Sequence, residues 1–275
     1  MVSRLCELVS MRVLIIVLLI ICSPVLVSAS ELDLVQIPGG TARLGDADGH
    51  VTETVRSREI PAFRMMRREV TNRQFAAFVA VTGYVSTPEK SGRSNVWTDK
   101  WRLVQGADWR RPQGPKSSID TLGDHPVVQV SAIDAEAFCR HHGLRLPTGD
   151  EWEYATRGPD GRRYPWGNAL TRQSLPELTN AGTWRCCRAS DADGYVRTAP
   201  VGSFPKGNSP FGLEDMIGNV WEWTSSPFPV EPDKLAIRGG GWGNNPYCLR
   251  AAYRHGNYAH VGLDMVGFRC AADAR

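Results

Sequence analysis

The chain has 275 residues, of which 42% are hydrophobic and 22% are charged, so it can bury a full core and is neither fibrous nor disordered. Its 32 basic and 29 acidic residues leave a net charge of +3, which is too weak and too evenly spread to indicate a nucleic-acid partner. The unusual counts are 27 Gly, 18 Pro and 9 Trp. Because Gly and Pro interrupt regular elements and large Trp side chains are mostly buried, the composition predicts a loop-rich fold pinned by aromatic residues.

The first thirty residues have the pattern of a secretory leader. Arg12 precedes an unbroken apolar run over residues 13–21, and small residues up to Ala29 suit a signal peptidase. The run is shorter than the roughly 20 residues of a membrane span. We therefore predict a signal peptide over 1–29, starting at Met1 or Met11, and a periplasmic or secreted domain over 30–275 with no membrane segment. A lipid anchor at Cys22 is disfavoured, because Ile21 stands where a small residue is required.

Export changes how the cysteines are interpreted, because thiols outside the cytoplasm tend to pair. Five cysteines follow the leader, at positions 139, 186, 187, 248 and 270. An odd number leaves at least one thiol free, bound to a metal or paired to another chain. No CxxC or HExxH motif occurs, and the six His show no spacing that would put several on one helical face. A zinc or non-haem iron site built from neighbouring histidines is therefore not expected.

The first half of the domain contains one strand pair, one helix and one long irregular stretch. The segment from Leu34 to Leu44 predicts a strand, a Pro-Gly-Gly turn and a return strand. Thr71 can cap a helix that carries Phe75 and Phe78 at helical spacing. From 87 to 123 the chain is polar and lacks a sustained period, which predicts a long structured loop.

The second half begins with two helices and then becomes irregular. Ser131 is the N-cap and Gly143 the C-terminal stop of the clearest helix, and Thr148 with Glu151 forms a capping box that opens another. From residue 158 onwards aromatic residues alternate with glycines, which is typical of short strands joined by tight turns. No fixed repeat and no flexible linker is visible, so a single domain is predicted.

Nine motifs follow one another in an order that is typical of one family. They are Ile37-Pro-Gly-Gly, Glu69-Val-Thr-Asn, Gly106-Ala-Asp-Trp-Arg-Arg-Pro-Gln-Gly, Asp124-His-Pro-Val-Val, Gly143-Leu-Arg-Leu-Pro-Thr-Gly-Asp-Glu-Trp-Glu, Tyr164-Pro-Trp-Gly-Asn, Gly218-Asn-Val-Trp-Glu-Trp-Thr, Arg238-Gly-Gly-Gly-Trp and Gly267-Phe-Arg-Cys. Together they resemble the formylglycine-generating enzyme, or sulfatase-modifying factor, family over essentially the whole chain after the leader. The resemblance implies a single compact, irregular α+β domain of the C-type-lectin-like class, loop-rich and with little regular secondary structure.

The same resemblance implies two structural calcium sites and a disulfide. Calcium binds six to eight hard oxygen ligands from carboxylates, amides and backbone carbonyls. The matching positions are Asn180, Ala181, Asp193 and Tyr195 for the first site, Asp215, Gly218, Val220 and Glu222 for the second, and Cys139 with Cys270 for the disulfide. Taken alone, acids in Gly-rich loops are more typical of turns than of metal ligands.

Catalysis in this family resembles copper-thiolate oxidation, in which two cysteines five residues apart hold Cu(I) and the substrate's cysteine joins them. Soft Cu(I) prefers thiolate ligands. Cys248 matches the second cysteine and is the candidate catalytic residue. The first cysteine is missing: Asn244 stands nearest its place, in a loop that is about one residue shorter than the family's. If the scaffold has kept the family's site, Cys248 should open into a cleft and react readily with alkylating reagents. The candidate cleft is formed by Trp221, Trp242, Asn244 and Tyr247.

The sequence leaves alternatives open for Cys248 and for the adjacent pair Cys186 and Cys187. Cys248 is either a free, half-buried thiol or part of a one-thiolate copper or redox site completed by His255, Asn244 or a substrate sulfur. Cys186 and Cys187 are adjacent, and they could form a loop-stabilising vicinal disulfide, bind a metal or pair with another chain.

Three functions from different classes fit these residues. The first is an exported oxidase-like maturation or accessory factor that acts on a protein or peptide client. The second is a true formylglycine-generating oxidase for an exported sulfatase, which strictly needs the missing cysteine. The third is a non-catalytic binding module on the same scaffold. Calcium is the expected structural cofactor, and copper is a possible catalytic one.

Overall fold

The computed structural model describes residues 32–185 and 187–274, so the predicted signal peptide lies outside the described residues. Within those two ranges, short strands build four small sheets and five helices lie between them. The strands are β1 Leu34–Ile37, β2 Gly40–Leu44, β3 Arg56–Ile60, β4 Phe63–Met66, β5 Arg93–Trp97, β6 Trp101–Gln105, β7 Trp221–Phe228, β8 Glu231–Arg238, β9 Arg254–Asn257, β10 Val266–Gly267 and β11 Ala271–Asp273. Irregular connections link them, which confirms the predicted loop-rich α+β class.

The helices begin where local capping chemistry predicts. They are α1 Asn72–Thr82, α2 Thr87–Ser91, α3 Ala132–His141, α4 Gly149–Arg157 and α5 Leu175–Leu178. Thr71, Ser131 and Thr148 each cap a helix, and each forms a capping box with the residue three positions later. A capping box satisfies two backbone N–H groups that the first turn leaves without partners, so these three helix starts are fixed by sequence-local bonds.

The predicted hairpin over residues 34–44 is wrong in its pairing. β1 pairs with β4 and β2 pairs with β3, both antiparallel, so that Ile37 lies opposite Phe63 and Gly40 opposite Ile60. The segment is one arm of a long bent ribbon whose other arm comes later in the chain. Pro38 has no N–H to donate to a ladder, and a Cβ on Gly39 would lie 2.7 Å from the backbone N of Ala62. Pro-Gly-Gly therefore bends the ribbon between its two sheets and does not reverse the chain.

The stretch from 87 to 123 is more regular than predicted. It contains the short helix α2, capped by Ser86, and the antiparallel hairpin of β5 and β6. Trp101 and Leu103 of β6 are 42% and 54% exposed, so the strand lacks the alternation of buried and exposed residues that reveals a half-buried strand. Only the part after Gln105 is the predicted structured loop.

The largest of the four sheets positions the segment that carries Cys248. Its order is β10-β7-β8-β9, with β10 and β7 parallel and the other pairs antiparallel. Residues 239–253 connect β8 to β9 and form the segment that we call the thiol loop. Two fully buried arginines brace this sheet: Arg238 pairs with Glu153 at 2.9 Å and Arg269 pairs with Glu222 at 2.7 Å. Pairing and hydrogen bonding are what make such buried charges tolerable.

The predicted disulfide is present. Cys139 on α3 is bonded to Cys270, 131 residues away, and both cysteines are fully buried. They belong to an aromatic core that includes Phe75, Phe138 and Phe268. The disulfide therefore joins α3 to the C-terminal segment just before β11.

Candidate functional site

The thiol loop is held at several points from outside itself. Arg238 donates to the carbonyl oxygens of Ala251 and Ala252, both at 3.0 Å, where the loop returns to the sheet. Arg250 pairs with Glu53 at 2.7 Å and with Asp46 at 2.8 Å. These contacts tie the loop to the sheet at one side and to residues 46–53 at the other, so its conformation is set by the tertiary structure.

Cys248 lies inside this loop and not on its surface. Its side chain is 8% exposed, and its sulfur takes hydrogen bonds from Tyr253 and Asn244. Burial raises the pKa of the Cys248 thiol above its usual value, and the bond from Tyr253, the charge of Arg250 and the bond from Asn244 oppose that shift without reversing it. The expectation that Cys248 opens into a cleft is therefore wrong, and its burial and raised pKa predict slow rather than ready alkylation. The structure holds Cys248 as a neutral thiol in polar surroundings.

Asn244 stands nearest the place of the missing cysteine, and its side-chain oxygen is already hydrogen-bonded. Its Oδ1 accepts a hydrogen bond from the indole N–H of Trp221 at 2.8 Å and another from the backbone N–H of Gly241 at 3.0 Å. Its remaining side-chain bond goes to Cys248. Asn244 thus connects the thiol to Trp221 and fixes the start of the loop.

The four predicted cleft residues do not line one cavity. Trp221 lies on the wall of a 390 Å³ cavity whose lining includes Trp101, His255 and Tyr258. Trp242 lines a separate 470 Å³ cavity. Tyr247 is 48% exposed, and Asn244 is buried between Trp221 and Cys248. Of the predicted set, the structure brings Trp221 and Asn244 into direct contact with each other and Asn244 into contact with the thiol.

The 390 Å³ cavity, which we call the aromatic cavity, has both apolar faces and polar groups. The ring of His255 lies 6.2 Å from that of Trp221, and burial lowers the pKa of His255, so this imidazole is neutral at neutral pH. Lys234 stands over the ring of Tyr258 at 5.0 Å. Such a combination of aromatic walls and a few polar groups is typical of ligand pockets.

The residues predicted for the first calcium site lie together. Asp193 accepts the backbone N–H of Ala181 at 3.1 Å and that of Tyr195 at 2.9 Å. Asn180 donates to the carbonyl of Arg197 at 2.7 Å, which orients its amide, and its buried Oδ1 has no hydrogen-bond partner among the residues described. Burial raises the pKa of Asp193. A buried acceptor without a donor, beside a partly desolvated carboxylate, fits a hard cation.

The second predicted set fits less well. Both carboxylate oxygens of Glu222 accept from Arg269, at 2.7 and 2.8 Å, and one also accepts from the indole of Trp152 at 2.8 Å. Asp215 accepts from the backbone of Gly202, and burial raises the pKa of Asp215 to about 6. Its left-handed backbone, with φ of 53°, places Asp215 at a sharp turn that leads towards Gly218 and Val220.

Sequence reasoning missed Glu69 as part of this second region. The residue is fully buried, its Oε1 has no partner in the described structure, and burial raises the pKa of Glu69 well above its usual value, with the charges of Asp215 and Glu222 adding to the effect. The motif Glu69-Val-Thr-Asn contributed to the resemblance but carried no role. Only tertiary contacts bring this carboxyl to the other two.

The described residues do not fit a two-thiolate copper site. Cys139, Cys270 and Cys187 are in disulfides, Cys248 is a free thiol, and Cys186 lies outside the described residues. Over 32–185 and 187–274, no group of three or more His, Cys, Asp or Glu side chains is arranged to hold a metal ion. The predicted calcium sets are compatible with this finding, since each contains at most two carboxylates and takes its other ligands from amide and carbonyl oxygens.

Two further residues of the site region were not predicted. Tyr253, directly before β9, supplies the hydroxyl that bonds to Cys248, and Arg250 anchors the loop two residues after the thiol. Neither has a local sequence signal, because both act through partners that lie elsewhere in the fold. In the part of the chain that the structure covers, no helix is long and apolar enough to cross a membrane.

Comparison with known proteins gives consistent matches across the chain. The family model of the sulfatase-modifying factor enzyme 1-like domain matches residues 26–274. The chain is 39% identical to a formylglycine-generating enzyme of Streptomyces coelicolor, over 87% of this chain and 89% of that protein. It is 36% identical to the inactive C-alpha-formylglycine-generating enzyme 2 of Bos taurus, over 90% of each.

Solved structures give the fold. PvdO from Pseudomonas aeruginosa superposes with a TM-score of 0.68 at 24% identity, covering 88% of this chain and 94% of PvdO. The fold that the two share is the C-type-lectin-like one, which confirms the predicted fold class.

Proposed function

The chain belongs to the sulfatase-modifying factor family, and from this membership we propose that it is an exported maturation factor that acts on a protein or peptide client by oxidase-like chemistry. The observation that carries the proposal is the setting of Cys248. A free thiol is held by two side-chain hydrogen bonds, and Asn244 and Trp221 connect it to the aromatic cavity.

The polar contacts of Cys248 argue against a thiol that merely fills space. A cysteine that behaves as a small hydrophobe needs no donors, yet Tyr253 and Asn244 both bond to this sulfur. In the resting state burial keeps the proton on Sγ, while Tyr253 and nearby Arg250 lower the cost of removing it. The site can therefore hold a proton at Sγ and stabilise the thiolate once a base or a client takes that proton.

The aromatic cavity suits a segment of a peptide client. At 390 Å³ it has room for one or two side chains, and two of its lining residues, Trp101 and Tyr258, are 42% and 43% exposed. Asn257 also lines it and offers an amide group to a peptide backbone, whereas the side-chain amide nitrogen of Asn95 already donates to the carbonyl of Gly262 at 3.2 Å. Aromatic walls supply binding energy and the few polar groups supply orientation.

Two-thiolate copper oxidation, the chemistry of a true formylglycine-generating oxidase, has little support at this site. The second soft ligand of Cu(I) would have to lie at the position of Asn244. The Asn244 carboxamide is a hard group, and it is already bonded to Trp221, Gly241 and Cys248. The residues present therefore favour the maturation factor over the true oxidase.

The proposed function includes structural calcium and action outside the cytoplasm. We assign calcium a structural role at both predicted sets, with the stronger support at the first, where Asn180 has an unpartnered Oδ1 and Asp193 accepts the backbone N–H of the next residue, Ala181. Action outside the cytoplasm is supported by the leader-like start of the chain and by the Cys139–Cys270 disulfide, since such bonds persist in oxidising compartments.

A deletion strain tests this function. The exported proteins of cells lacking the gene are compared by mass spectrometry with cells complemented by the wild type, by Cys248→Ala or by Val81→Ala, an exposed position on α1 that serves as control. We expect a mass change on a client peptide that the wild type and Val81→Ala restore and Cys248→Ala does not. A single cooperative melting transition for each purified variant, well above the growth temperature, shows that the variants are folded.

Two other outcomes would favour the binding module or the true formylglycine-generating oxidase. If Cys248→Ala restores the client fully, the thiol is dispensable, and the aromatic cavity is the functional part of a binding module. Conversion of a CxPxR peptide to formylglycine by the purified protein with Cu(I) and oxygen would establish the true oxidase; we expect no conversion.

A further inference from the structure

The 470 Å³ cavity lies apart from the aromatic cavity and is lined by a disulfide-bonded cysteine. Trp97, Trp242, Arg188, Arg197 and Cys187 form most of its wall. We call it the disulfide cavity. The proposed function uses none of these groups.

The two disulfide-bonded regions of the described chain differ in accessibility. Cys139 and Cys270 are both 0% exposed, as expected of a bond that only stabilises the fold. Cys187 is disulfide-bonded, half-buried and on a cavity wall. Its φ of 65° is left-handed, a conformation that costs energy for a residue other than glycine. Disulfides that are strained or partly accessible are the labile class, whereas fully buried ones resist reduction.

The surrounding backbone holds Cys187 in place against the cavity. The indole of Trp97 donates to the carbonyl of Cys187 at 3.1 Å, and Thr183 N–H donates to the carbonyl of Arg188 at 2.9 Å, which closes the segment on itself. Gly182 N–H donates to the carbonyl of Asn244 at 3.0 Å. The disulfide-bearing segment is thus fixed to the start of the thiol loop.

The cavity wall is positively charged. Arg197 lies over the ring of Trp242 at 4.7 Å and pairs with Asp264 at 2.7 Å, while more than a third of its side chain stays exposed. Arg188 is exposed on the same wall. Asp99, which also lines the cavity, is paired with Arg102 at 3.0 Å. Guanidinium groups beside a sulfur favour thiolate over thiol.

We propose that the disulfide cavity is a thiol-binding site at which the disulfide of Cys187 exchanges with a thiol of the client. The proposal deepens the proposed function and rests on it for the existence of a client. The client thiolate attacks Sγ of Cys187, a mixed disulfide forms, and the sulfur that was bonded to Cys187 leaves as a thiolate and takes up the proton that the client lost. A second client thiol then attacks the mixed disulfide at the client sulfur and releases Cys187 as a thiol.

The disulfide of Cys187 is the oxidant in this exchange, and no additional oxidant is needed. Two client thiols become one disulfide, and the disulfide of Cys187 becomes two thiols. Arg188 and Arg197 stabilise the thiolates that arrive and leave, and Trp97 and Trp242 provide the apolar walls against which the rest of the client packs.

Small thiols test the exchange without a client, so a negative result would remove this proposal and leave the maturation factor untouched. The oxidised full-length protein is incubated without oxygen with reduced glutathione, and mixtures are quenched with acid and mapped as peptides under non-reducing conditions. We expect glutathione bound to Cys187 within minutes, with Cys139–Cys270 intact. A Cys187 disulfide that opens only after denaturant is added would overturn the proposal.

Matched variants locate the reaction. Arg188→Gln should slow the exchange several-fold, whereas Arg185→Gln, in the same segment but not on the cavity wall, should leave it within a factor of two. Equal slowing by both would show that general charge, and not the cavity, controls the rate. Added salt should slow anionic glutathione more than neutral mercaptoethanol, since screening weakens attraction to the arginines; equal effects of salt would contradict the charged wall.

The source of the thiol is distinguished in the same assay. A cysteine-containing peptide that reacts faster than glutathione at equal thiolate concentration would assign the cavity to peptide thiols, and the reverse order would assign it to small thiols. Cys187→Ser should abolish the adduct in both cases.

Discussion

Asn244 shows how one side chain changes the chemistry open to a site. Its carboxamide oxygen is saturated by donors from Trp221 and Gly241, so that the amide faces Cys248 as a hydrogen-bond partner. A second sulfur at this position would offer a soft ligand and would leave both donors without their acceptor. In the present loop Asn244 stabilises the fold by accepting these two hydrogen bonds, whereas a thiolate at the same position would act as a metal ligand.

Replacing Asn244 by cysteine should create a copper site. We expect Asn244→Cys to bind Cu(I) at least tenfold more tightly than the wild type, because two thiolates suit this ion better than one. The variant should also be less stable by about 1–3 kcal/mol, since the buried indole N–H of Trp221 loses its acceptor. Competition with a coloured Cu(I) chelator measures the affinity.

The control for the copper prediction is the double variant Asn244→Cys with Cys248→Ser. It should return to weak binding if both sulfurs are ligands. Wild-type affinity equal to that of Asn244→Cys would show that Cys248 finds its second ligand elsewhere.

The pH dependence of Cys248 alkylation follows from the direction of its pKa shift. Burial raises the thiol pKa above its usual value of 9.0, so the reactive thiolate forms at higher pH than in a free cysteine. Iodoacetamide should therefore modify native Cys248 more slowly than it modifies glutathione at neutral pH, with the rate still rising above pH 9. Mass spectrometry of the Cys248 peptide follows the reaction.

Tyr253→Phe sharpens the alkylation test. The Tyr253 hydroxyl lowers the pKa of Cys248, so its removal should raise that pKa further and slow alkylation at every pH below it. Faster alkylation of this variant would mean that access, and not ionisation, limits the rate.

Among the elements, α3 is joined most firmly to the end of the chain. Its disulfide closes a loop of 131 residues, and the chain-entropy model gives about 4–5 kcal/mol for a loop of this size. The Cys139→Ala, Cys270→Ala double variant should lose that much free energy of unfolding, as measured by urea titration. Chemical reduction is a poorer test, because it would also open the disulfide of Cys187.

Cys248→Ala is the matched control for this loss. It removes a buried thiol without removing a covalent link, so it should cost about 1 kcal/mol, on the scale of a small core substitution. A double variant that loses no more than this control would contradict the structural role of the disulfide.

The helices and the ribbon show where local sequence suffices and where it does not. Thr71, Ser131 and Thr148 predict three helix starts because each cap bonds to a residue only three positions away. The partner of β1 could not be predicted in the same way, because β4 lies about thirty residues later and nothing in residues 34–44 identifies it. The hairpin of β5 and β6 was missed because its exposed apolar residues hide the alternating pattern.

For the whole molecule, calcium is expected to raise stability. An ion that binds only the folded state stabilises it by mass action, so a chelator should lower the melting temperature by several degrees in a scanning fluorescence or calorimetric measurement. Asp193→Asn should melt lower than the wild type and respond less to the chelator, because the first set would lose its carboxylate.

Asp191→Asn, an exposed acid in the same loop, is the matched control for the calcium prediction. It should keep the full response to the chelator. If chelation leaves the wild-type melting temperature unchanged, calcium has no structural role here.

The sequence by itself determined the capped helices, and through its resemblance to the family it implied the fold class and the pairing of Cys139 with Cys270. These follow from short bonded patterns and from motifs that keep their order along the chain. Only the tertiary structure decided that Cys248 is buried, that Asn244 bonds to Trp221, that Glu69 joins Asp215 and Glu222, and that Trp221 and Trp242 face different cavities. Burial and charge at a site are sums over neighbours from distant parts of the chain, and no local pattern contains that sum.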